Sequence, residues 1–133
     1  TSSGKTTLCD TLADCVGLRA PSHIEEVART VMKNTSFSRT DIHKLEMQLA
    51  IMEEQTRAET RGKETVARGE AQFLLSDRCV IDALVYTILA ATSEEEASRR
   101  WEIVVSSAMF PHALASYQDA VVILCAHLTL CEL

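Results

Sequence analysis

The chain has 133 residues, 47% of them hydrophobic and 24% charged, with 4 Gly, 2 Pro and a net charge of −6. That length and apolar share fit one compact domain with a real core, 1–133, and exclude a disordered or low-complexity chain. The acidic balance excludes a general basic surface, so no DNA or RNA partner is expected, yet a nucleotide site needs only backbone N–H groups and a few local cations.

Thr1 to Thr6 form a polar loop. From Lys5 to about Val16, Leu8, Leu12, Ala13 and Val16 recur at helical spacing, and Gly17 stands where a helix stops. An extended piece follows at His23-Ile24-Glu25-Glu26-Val27, then a helix from Val27 to about Lys33, closed by Asn34-Thr35-Ser36. Thr40 or Asp41 is the expected cap of a long helix with an apolar stripe of Ile42, Leu45, Leu49 and Met52. Its polar continuation runs to about Arg68, with Gly62 as a weak point.

Ala71 to Ser76 has no helical face and predicts a buried parallel strand. Asp82 to Ala91 reads as a helix, and Ser93 with Glu96 matches a capping box opening another through Trp101, Val104 and Val105. Pro111 is expected to break the helical pattern. Ala120 to Cys125, apolar throughout and rich in β-branched residues, is the strongest strand signal. The apolar stretch to Cys131 is interrupted by His127 and Thr129 and is too short to span a bilayer. Five cysteines without ligand spacing read as free thiols in a reducing compartment, and a cytoplasmic location is expected. The alternation of strands and helices predicts an α/β domain with a parallel sheet and helices on both faces.

Ser2-Ser3-Gly4-Lys5-Thr6-Thr7 is the second half of GxxxxGK[ST], whose first glycine would sit ahead of Thr1. Gly4 lets the backbone wrap close to phosphate, with N–H groups forming an anion nest. Lys5 places a positive charge on the β- and γ-phosphates, and the Thr6 hydroxyl suits Mg²⁺. Ser76-Asp77-Arg78 follows the apolar strand, at the end where ligands of doubly wound sheets bind. There Asp77 can hold Mg²⁺ through water or accept a proton, and Arg78 can clamp a phosphoryl group; the alternative is a helix cap with a surface arginine. Glu25-Glu26-Val27-Ala28-Arg29 offers a carboxylate and an arginine to a hydroxyl-bearing substrate, with Glu26 the expected inward residue. A solvated helix start with a local ion pair is the other reading of that segment. His23, His43, His112 and His127 share no spacing for a metal site.

In this order, SSGKTTLCDTLA, HIEEVARTVM, SRTDIHKLEMQLAIMEEQ and LLSDRCVIDALVY resemble the P-loop ATPase/kinase domain related to the ribosylnicotinamide-kinase half of NadR. The likeness is to its stand-alone eukaryotic, often fungal, versions, and it runs from Thr1 to Cys125. It implies a P-loop NTPase fold of nucleoside-kinase type with sheet order 2-3-1-4-5. It further implies that Gly4, Lys5, Thr6 and Thr7 hold nucleotide and Mg²⁺, and that Glu26 and Asp77 face acceptor and metal. Arg29 and Arg78 would line the acceptor or phosphate side. Against that pattern the chain is expected to be truncated at both ends, with the first strand, the lid and the last strand missing. The expected function is transfer of the γ-phosphoryl of Mg-ATP to a small hydroxyl acceptor such as a nucleoside. A nucleotide-binding switch or adaptor, an NTPase without small-molecule kinase activity, and an inactive fragment are the alternatives.

Overall fold

The computed structural model describes residues 4–123. Ser2 and Ser3 of the phosphate loop, and Leu124 and Cys125 at the end of the expected last strand, lie outside the described residues.

Helix α1 spans Lys5–Val16 between Gly4 (φ 72°) and Gly17 (φ 73°), both left-handed, where any other residue would be strained. Gly17 N–H donates to Asp14 O and Leu18 N–H to Ala13 O, the paired closure that ends a helix at a left-handed glycine. The expected stripe does not become a buried face. Leu8, Leu12 and Val16 remain exposed, and Ala13 is the buried residue of the helix.

Strands β1 (His23–Ile24) and β2 (Leu75–Ser76) pair in parallel, His23 opposite Leu75 and Ile24 opposite Ser76. Leu75 N–H donates to Ser22 O at 2.9 Å and Asp77 N–H to Ile24 O at 3.0 Å. Both strands are shorter than the apolar runs suggest, because a strand lasts only while a neighbour accepts its backbone bonds. Past Ile24 the chain turns into α2 (Ala28–Asn34), and ahead of Leu75 Phe73 stays exposed. The order of elements is α/β, but the described chain is mostly helical around a two-stranded parallel sheet, which corrects the expectation of a full sheet covered on both faces. The one pairing seen is the 2-3 adjacency of the expected strand order.

Neither Thr40 nor Asp41 caps the long helix. Ser38 and Asp41 cap a short 3-10 turn, Arg39–Asp41, and α3 (Leu45–Ala67) starts after Lys44 without a side-chain cap. Ile42 therefore falls outside the helix and is exposed. On α3, Met47, Met52 and Ala58 share the buried face with Gln48, Gln55, Glu59 and Thr65, while Glu53 and Glu54 pair with Arg57 and Arg61 on the solvated side. Gly62 lies against the loops before β1 and β2: a Cβ there would sit 2.8 Å from Pro21 O and 2.3 Å from Leu74 Cδ1.

Helix α4 (Val80–Leu89) begins two residues earlier than its pattern suggests, because Asp82 reaches back to the N–H of Cys79 at 2.9 Å. Helix α5 (Glu94–Val105) is capped by Ser93, which accepts from Glu96 N–H, while Glu96 itself accepts from Thr92 N–H. Pro111 does not break the chain; it stands in the first turn of α6 (Met109–Ser116), where its missing N–H has no intrahelical partner to lose.

The main core joins Met52 of α3 to Val80, Ala83 and Leu84 of α4, Val104 of α5, and Phe110 and Ala113 of α6. A second cluster, Ile24, Val27 and Ala58, fixes β1 on α3. The strand expected from Ala120 is absent over residues 120–123, where Val121, Val122 and Ile123 are exposed. Their composition favours extended backbone, but no described strand pairs with them. Among the described residues no helix is long and apolar enough to cross a membrane.

Candidate functional site

The parallel pairing of β1 and β2 sets Glu26 and Asp77 just past the carboxyl ends of neighbouring strands. Helix α1 brings Lys5 and Thr6 to the same place. The Thr6 hydroxyl donates to Asp77 Oδ2 at 2.6 Å, and the Lys5 ammonium lies 3.3 Å from Oδ1. The Asp77 side chain is 1% exposed, so its charge is held by the lysine and the hydroxyl rather than by water. Oδ1 accepts no hydrogen bond from the described residues and is a buried, under-used oxygen. Among the described residues no side chain caps α1, and no acidic residue stands in its first turn, so its amino end carries partial positive charge toward this corner.

Beside it lies a second cluster. Arg78 Nη2 is 3.6 Å from Glu26 Oε1, Arg29 Nε is 3.5 Å from Glu26 Oε2, and Arg78 Nη1 is 3.2 Å from Asp82 Oδ1. The Arg78 guanidinium also lies over the Tyr86 ring at 5.7 Å and its Nη1 donates to the Tyr86 hydroxyl at 3.4 Å. Glu26 is half-buried, whereas Glu25 is exposed. The structure thus gathers Lys5, Thr6 and Asp77 in one group and Glu26, Arg29 and Arg78 in another, joined through the Asp77–Arg78 peptide. Thr7 is exposed beside Thr6 on α1. Asp77 caps no helix; Cys79 occupies that position, and burial pushes its thiol above its ordinary value, away from nucleophilic use.

Several side chains of this region carry no role in the sequence reading. Asp82 and Tyr86 recur at the helical spacing that puts them on the same face of α4 below Arg78, a pattern visible in the sequence. Gln55 and Glu59 are polar residues inside the buried stripe of α3, and that position was their signal. Tyr117 had none, since its partners come from distant segments.

The donor set fits a nucleotide with its cation. Asp77 and Thr6 supply hard oxygens within one hydrogen bond of each other, suited to Mg²⁺, and Lys5 with the α1 amino end suits phosphate. Among the described residues no group of His, Cys, Asp and Glu side chains forms a separate metal cluster.

A lysine and a hydroxyl at a helix amino end, facing a carboxylate at a strand end, are the parts of a P-loop nucleoside-triphosphatase site. Residues 1–128 match the AAA domain family, and the chain belongs to that family. Nucleotide binding is the coarse function this membership carries. Neither the curated proteins nor the solved structures return a match to the chain.

Proposed function

We propose that this chain binds Mg-ATP at Gly4, Lys5, Thr6, Thr7 and the preceding Ser2-Ser3, and transfers the γ-phosphoryl group to a small hydroxyl acceptor. A nucleoside of the ribosylnicotinamide type is the acceptor class that the motif resemblance favours. The observation that carries the reading is the meeting of Lys5 and Thr6 with Asp77, beside the Glu26–Arg78 pair.

In this reading Lys5 exchanges Asp77 for the β- and γ-phosphates, and the α1 amino end holds their oxygens. Mg²⁺, when bound, neutralises phosphate charge and is faced by Thr6 and Asp77. The acceptor oxygen attacks the γ-phosphorus, the bond to the bridging β–γ oxygen breaks, and ADP leaves. Glu26 takes the acceptor's proton, being the more accessible carboxylate (31% exposed against 1% for Asp77). Arg78 and Arg29 stabilise the charge on the group in flight.

The test is nucleotide binding followed by turnover. Lys5→Ala should weaken Mg-ATP binding by about 10- to 100-fold, from the roughly 1.5–3 kcal/mol that a hydrogen bond to a charged group contributes. Nucleosides should accelerate ADP formation above the rate with water alone. Equal binding by K5A and wild type overturns the site. Binding without acceleration by any acceptor leaves a nucleotide switch instead of a kinase.

A further inference from the structure

The segment that carries Asp77 is held from behind by a buried polar network outside the phosphate site. Gln55, 1% exposed on α3, has its Nε2 2.8 Å from Arg78 O, 2.8 Å from Glu59 Oε1 and 3.0 Å from Ser76 Oγ, its two N–H groups shared among the three acceptors. Ser76 Oγ donates in turn to Arg78 O at 2.6 Å. Just past the end of α6, the Tyr117 hydroxyl donates to Glu59 Oε1 at 2.7 Å and accepts from Val80 N–H at 3.0 Å. The backbone on both sides of Asp77 is therefore tied to α3 and α6, while the Asp77 side chain faces the other way, toward Lys5 and Thr6.

Glu59 is 5% exposed, and no lysine or arginine of the described residues forms an ion pair with it. Its charge depends on donors from Gln55 and Tyr117, so the network holds together or fails together. Burial pushes the Tyr117 phenol far above its ordinary value, so it remains a donor at every working pH.

We infer that Tyr117 and Gln55 are positioning residues: through Val80 N–H and Arg78 O they set where the Asp77 carboxylate stands relative to Thr6 and Lys5, and so govern the affinity for Mg²⁺. The inference rests on the Mg-ATP reading of the site. Removing the Tyr117 hydroxyl leaves Val80 N–H without its acceptor and Glu59 with one donor fewer, and the 76–80 turn loosens where Asp77 sits. Groups standing behind a metal-facing residue typically change metal affinity by about 10- to 100-fold.

The experiment compares wild type, Tyr117→Phe, Gln55→Met and Val104→Ala. The last removes buried core bulk from α5, away from the site, and controls for lost stability. ATP binding is titrated with Mg²⁺ and again in EDTA, and amide hydrogen exchange is followed in the nucleotide-free protein. Y117F and Q55M should need about 10-fold more Mg²⁺ for half-saturation. Their ATP binding in EDTA should not change, and exchange at Asp77 and Val80 should quicken. V104A should lower the thermal midpoint and leave the Mg²⁺ requirement where it was. If Y117F does not fold, Q55M carries the same expectation. An unchanged Mg²⁺ requirement in the folded variants, or an equal rise in V104A, overturns the positioning role and leaves the Mg-ATP reading standing. A wild-type chain that does not bind Mg-ATP overturns both.

Discussion

Glu96 shows how hydrogen bonds can outweigh partial burial in tuning a single carboxylate. Its Oε2 accepts from the Thr92 hydroxyl at 2.7 Å and from Thr92 N–H at 2.8 Å, and Oε1 accepts from Arg100 at 2.7 Å. The Thr92 bonds first, and Arg100 after them, lower its pKa from 4.5 to about 2. A depressed carboxylate contributes stability above its unfolded value and loses it as pH falls through the folded one. Wild type should therefore lose stability between pH 4.5 and about 2 through this group, and Glu96→Gln should lose none by this route. Denaturant titrations at several pH values check this: the two proteins converge near pH 2, separate as pH rises toward 4.5, and keep a constant gap above it. Arg100 also donates to His43 O and Thr87 O, so the same cluster ties the entry of α3 to the end of α4.

Among the elements, α3 does the most to place the site, and Gly62 is the point on it that tolerates least. Glycine weakens a helix by about 1 kcal/mol relative to alanine, which alone would make Gly62→Ala stabilising. The Cβ would meet Leu74 Cδ1 at 2.3 Å, which can swing aside, and Pro21 O at 2.8 Å, which is backbone and cannot. G62A should instead destabilise the protein by about 1–3 kcal/mol, the usual range for overpacking, read as a lower denaturation midpoint. The sequence showed Gly62 only as a weak helix position, because its reason lies in two loops remote from it. Helix α1 was legible almost to its ends, since the Leu8–Val16 spacing and Gly17 are local signals. The strands were legible in place but not in length, and the strand expected over Ala120 to Cys125 is absent over its described part, Ala120 to Ile123, because pairing is decided by neighbours and not by apolar content. For the site, the phosphate-loop residues and the Glu26 and Asp77–Arg78 positions stood out from motif and strand end. The network of Gln55, Glu59 and Tyr117 did not, being assembled only by packing α3 against α6.

Across the whole molecule, the Lys5–Thr6–Asp77 corner joins α1 to the end of β2, while the main core lies among α3, α4, α5 and α6. A ligand that bridges α1 and the β2 end should therefore stabilise the folded chain as a unit. At a hundred times its dissociation constant, Mg-ATP should add about 2.7 kcal/mol. The thermal midpoint should rise with Mg-ATP in wild type and rise less in K5A at the same concentration, where binding weakened 10- to 100-fold leaves about 0.4–1.4 kcal/mol of the effect, as calorimetry would show. Thr6 and Asp77 are 71 residues apart in sequence, and their hydrogen bond closes an excursion that contains all of α2 and α3. Contacts of such long range tend to form after local helices, since closing the chain costs entropy before anything is gained. We expect a site assembled that late to close after the folding transition state. Mg-ATP should accordingly act as a brake on unfolding while leaving the folding rate unchanged, so the nucleotide lengthens the life of the folded chain without helping it to form.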